Sequence, residues 1–132
     1  MECILHPISK GPQVPHWAVE AFHLGFVTEL AGAGVHVQEE AEGTSRQASV
    51  ITAQVIRADP GDWYWRPLGG HAVFEIQGQV RTATGSLEEF HADGVRRWGG
   101  LLGRNTQALL MGAARMAGER AAAQVIDVLT DA

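Results

Sequence analysis

Cysteine is almost missing from this chain. Cys3 is the only one in 132 residues, so no intrachain disulfide can form and no disulfide framework points to an oxidising compartment. Basic runs are missing as well. The densest cluster is Arg96-Arg97, and the formal net charge is -5 with a pI near 5.6. A nucleic-acid partner needs a basic stripe to neutralise phosphates, so none is expected. No stretch approaches the ~18 to 20 uninterrupted apolar residues of a membrane span, and no transmembrane segment is expected. Nor does Met1-Glu2-Cys3-Ile4-Leu5 have the charged-then-apolar form of a secretory leader; it reads as the start of a strand. The chain is thus either cytoplasmic or the trimmed mature part of an exported protein.

Signatures of chemistry are equally scarce. There are six histidines. His16 and His23 stand seven apart on one side of a helix, but zinc asks for three or four converging ligands, and neither HExxH nor CxxC occurs. His6, His36, His71 and His91 lie in or beside strands, with no spacing that demands a meeting. All six read as structural or solvated. Cys3, in an apolar strand, reads as an inert core thiol. The serines lack a GxSxG elbow, and the glycines hold no phosphate or dinucleotide fingerprint. Glu39-Glu40 and Glu88-Glu89 are paired carboxylates, but neighbours on a strand point to opposite faces, so neither pair shares a site by default. The acidic loop Glu39, Glu40, Glu42, Gly43 reads as solvated. No catalytic residue, no metal and no cofactor is expected.

What the chain does have is periodicity. At 45% hydrophobic and 19% charged residues, its length fits one domain, 1–132. The clearest stretch runs from His71 to Thr82. Ala72, Phe74, Ile76, Gly78, Val80 and Thr82 share one face, and Val73, Glu75, Gln77, Gln79 and Arg81 the other. That period of two marks a strand with one buried side. Ala83-Thr84-Gly85 makes a turn, and Leu87 to Ala92 returns as a second strand, after which Gly94 loosens the chain.

Ahead of this hairpin lie a strand over Glu2 to Ile8 and a helix over Trp17 to Ala33, with Val19, Phe22, Phe26, Val27 and Leu30 at helical spacing. Gly32 and Gly34 are placed to end that helix. Val35-His36-Val37 and the β-branched Ser49 to Ala58 are further strands. Asn105 reads as the N-cap of a last helix, Thr106 to Thr130. Its apolar arc is Leu110, Ala114, Ala117, Ala121, Val125 and Val128, with Arg115, Glu119, Gln124 and Asp127 opposite. The order predicts an α+β two-layer sandwich, a small and mostly antiparallel mixed sheet with two helices on one face. Leu109 and Met116 fall outside the arc and predict a contact surface for self-association.

The candidate site is an aromatic loop, Trp63-Tyr64-Trp65-Arg66, set between the turn residues Asp59-Pro60-Gly61-Asp62 and Gly69-Gly70. It is longer than a usual hairpin connection, and its residue types dominate interface hot spots. One or two of its aromatics can instead plug the open end of the sandwich, and Trp98 poses the same choice. The leading expectation is partner binding through Trp63, Tyr64, Trp65, Arg66 and Trp98. The alternative is a small cytoplasmic protein with a small-molecule or enzymatic pocket at this loop, using Asp62, Arg66 and His71.

The helix ending in Gly-x-Val, the strand from Ser49 to Arg57, the Asp-Pro-Gly loop, Leu68-Gly69-Gly70 before the long strand, Ala83-Thr84-Gly85 and the alanine-rich last helix together resemble a group of bacterial envelope domains. The group includes the curli-secretion lipoprotein, the N-terminal domain of TolB, lipoprotein activators of penicillin-binding proteins and the lipoprotein of Pel polysaccharide export. The resemblance implies a non-enzymatic periplasmic or outer-membrane-associated module that binds other envelope proteins or forms homo-oligomeric rings. Members carry a signal peptide and a lipid-bearing cysteine ahead of the domain. Cys3 has no apolar signal before it and is not assigned that role, so membrane attachment would require lipidation upstream.

Overall fold

The computed structural model describes residues 2–39, 48–60, 71–97 and 106–131. Five strands form one sheet: β1 (Glu2–Leu5), β2 (His36–Glu39), β3 (Ser49–Asp59), β4 (His71–Arg81) and β5 (Leu87–Arg97). Their order is β2-β1-β3-β4-β5. β1 pairs in parallel with β2 and β3, whereas β3, β4 and β5 pair antiparallel. Two helices, α1 (His16–Gly32) and α2 (Thr106–Asp131), pack on the sheet and against each other. This is the expected α+β arrangement.

Alternation decides the faces as the sequence predicts. Ala72, Phe74, Ile76, Gly78, Val80 and Thr82 are buried, and Gln77, Gln79 and Arg81 are exposed. Phe74 stacks on Phe22 of α1 with ring centroids 5.8 Å apart, and Phe22 stacks on Phe26 at 5.5 Å. Such pairs add about 0.5–1.5 kcal/mol each beyond their buried area. Gly85 takes φ +96° in the hairpin turn. There the Thr82 hydroxyl, itself buried, accepts from Ser86 N–H at 3.1 Å.

Several boundaries differ from expectation. β1 stops at Leu5, because Pro7 has no N–H to give a ladder. The segment still follows β3: His6 N–H donates to Ile51 O, and Ser9 bridges Gln54. α1 ends through Gly34 at φ +82° alone; Gly32 is its last helical residue. β5 runs on to Arg97, and Gly94 sits inside it rather than loosening the chain. A Cβ there would lie 1.8 Å from Ala113 O, so the glycine admits the α2 backbone onto the sheet. The helices meet just as closely, since a Cβ on Gly118 would fall 2.3 Å from Phe22 O.

In α2 the core arc is Leu110, Ala114, Ala117, Ala121 and Val125, joined by Ala113, Ala122 and Leu129. Val128 is only partly buried. The arc is wider than one sheet-facing stripe because α2 packs on both the sheet and α1. Leu109 packs against the core rather than standing free. Asn105 lies outside the described residues.

Candidate functional site

Trp63, Tyr64, Trp65, Arg66 and Trp98 all lie outside the described residues, as does Asp62. Their anchors do not. β3 ends at Asp59, β4 begins at His71, and His71 is the register partner of Arg97, the last residue of β5. Asp59, His71 and Arg97 therefore lie at one end of the sheet. His71 is exposed there.

Within the described residues, a cleft of about 490 Å³ lies between α1 and the chain leaving β1. Leu5, Pro7, Ile8 and Val19 supply its apolar walls; His6, Lys10, His16, Glu20 and His23 supply its polar groups. Local sequence explains the shape. Pro7 ends β1 beyond Leu5, the last partner of β2, so His6 to Ser9 runs with β3 on one side only among the described residues. Helical spacing puts His16, Val19, Glu20 and His23 on one flank of α1, facing that segment. His16 Nε2 lies 3.0 Å from Glu20 Oε1, an exposed i,i+4 pair of small energetic weight. Lys10 Nζ donates to Val14 O at 3.0 Å, tying down the turn before the helix.

Among the described residues, no thiol or hydroxyl side chain lines the cleft. Among the described residues, no group of three or more His, Cys, Asp or Glu side chains is placed to hold a metal ion. Cys3 is fully buried, and burial pushes its thiol up to about 11. The helical flank was legible in the spacing of His16 and His23. That His6 and Lys10 join it was not, since β1 and α1 meet only through the fold. His36, His71 and His91 stay apart on β2, β4 and β5; His91 hydrogen-bonds Glu75 instead.

The sheet face away from the helices is polar. Thr52, Gln79 and Glu89 form one cross-strand row, Gln54, Gln77 and His91 a second, and Arg57, Glu75 and Asp93 a third. This is the wet side of a sheet with one covered face.

The fold is an α+β two-layer arrangement found in bacterial lipoproteins. It is similar to protein XCC0632 of Xanthomonas campestris, of the DUF330 family (TM-score 0.67, 12% identity, covering 96% of this chain and 83% of that one). It is also similar to a PelC variant dodecamer from Paraburkholderia phytofirmans (0.56, 15%, 89% and 85%) and to lipoprotein GNA1162 of Neisseria meningitidis (0.52, 12%, 99% and 99%). The chain matches no protein-family model and no curated protein. At these identities the likeness is one of fold.

Proposed function

We propose that this protein is a non-enzymatic binding and assembly module of the bacterial envelope. The observation that carries the reading is the solvent side of α1. This helix of 17 residues contains only two acids, Glu20 and Glu29, and no lysine or arginine. Leu24 on it is 54% exposed, and Trp17, Val19 and Val27 are half-buried. A surface helix ordinarily turns a charged face to water; one that does not is suited to a further protein surface. The adjacent edge of the sheet supports the same reading, because β2 pairs with β1 alone among the described residues. An open edge is a template for association. PelC, which shares the fold, forms dodecamers, and GNA1162 is a lipoprotein; both favour envelope assembly.

Trp63, Tyr64, Trp65, Arg66 and Trp98 belong to the same proposal as docking residues for envelope partners. In support of this, the described strand ends that flank their segments, Asp59, His71 and Arg97, lie at one end of the sheet, and loops on a sheet scaffold are where recognition residues commonly sit.

Light scattering on the purified chain at high concentration tests the assembly. The expected result is a mass well above the 14.2 kDa monomer, falling to the monomer in Leu24→Glu with an unchanged melting temperature. A monomer at every concentration removes the homo-oligomer. Fractionation of cells making the native product tests the location: recovery in the cytosol alone removes the envelope reading.

A further inference from the structure

We draw no further inference here: the strongest candidate, the uncharged groove of about 310 Å³ on the open face of the sheet lined by Ser9, Thr52, Gln54, Gln77 and Gln79, belongs to the solvated side of the sheet already described, and nothing among the described residues shows what covers it.

Discussion

Gln124 of α2 holds His91 of β5 by both atoms of its amide. Nε2 donates to His91 O at 2.6 Å, and His91 N–H donates to Oε1 at 3.2 Å. One helix residue thereby takes the place of a neighbouring strand on an edge that would otherwise offer unpaired backbone groups. Arg120 extends the cover by donating to Asp93 O at 3.1 Å. Two edges end the sheet, β2 and β5, and α2 protects β5.

Gln124→Ala should accordingly lower stability by about 1–3 kcal/mol, because it leaves backbone groups of the edge without their side-chain partner. It should also raise aggregation, since an uncovered edge recruits other strands. Urea denaturation and turbidity on heating measure the two effects. A variant as stable and as soluble as wild type would mean that water replaces the amide at no cost.

Phe74→Ala should destabilise by about 3–5 kcal/mol. The ring is fully buried and stacks on Phe22, joining β4 to α1. A shift below about half a kcal/mol in denaturant unfolding is incompatible with that placement, because a one-residue slip exchanges the faces of the strand.

Gly94→Ala should cost at least about 1–3 kcal/mol by overpacking, and more if α2 cannot retreat. The added methyl meets backbone, Ala113 O, rather than a mobile side chain. A melting temperature within error of wild type would show that α2 does not lie on β5 at this point.

Cys3 should resist thiol reagents in the folded protein and react after denaturation. Its raised pKa also makes stability depend on pH. The folded thiol titrates near 11 and the unfolded thiol near 9.0, so the unfolded state ionises first as pH rises. The stabilisation is full below about 9 and is lost progressively towards 11. Cys3→Ala should remove this alkaline component; identical pH profiles for variant and wild type above pH 9 would contradict it.

Replacing Trp63 or Trp65 with alanine should change stability far less than Phe74→Ala, and at least one of the two should be open to a collisional quencher in the isolated chain. If both replacements unfold the protein, the loop is a lid on the core and not a docking site.

The sequence determined the elements and their inward faces. A run alternating from His71 to Thr82 has one way to bury its apolar half, and the spacing of Phe22, Phe26 and Leu30 leaves one face of α1 to meet it. Tertiary structure decided what depends on a second element. Gly94 reads as a break until α2 is laid against it, because a missing side chain gives no local signal of what fills its space. Gln124 reads as a solvated helix residue until the edge of β5 arrives beside it. His6 just before Pro7 and Lys10 just before Gly11 carry no local signal; they line a cleft only because α1 folds back over β1 and presents His16, Glu20 and His23 to them. Local periodicity follows from backbone geometry within a few residues, whereas a cleft is made by side chains far apart in sequence, and their meeting is set by packing.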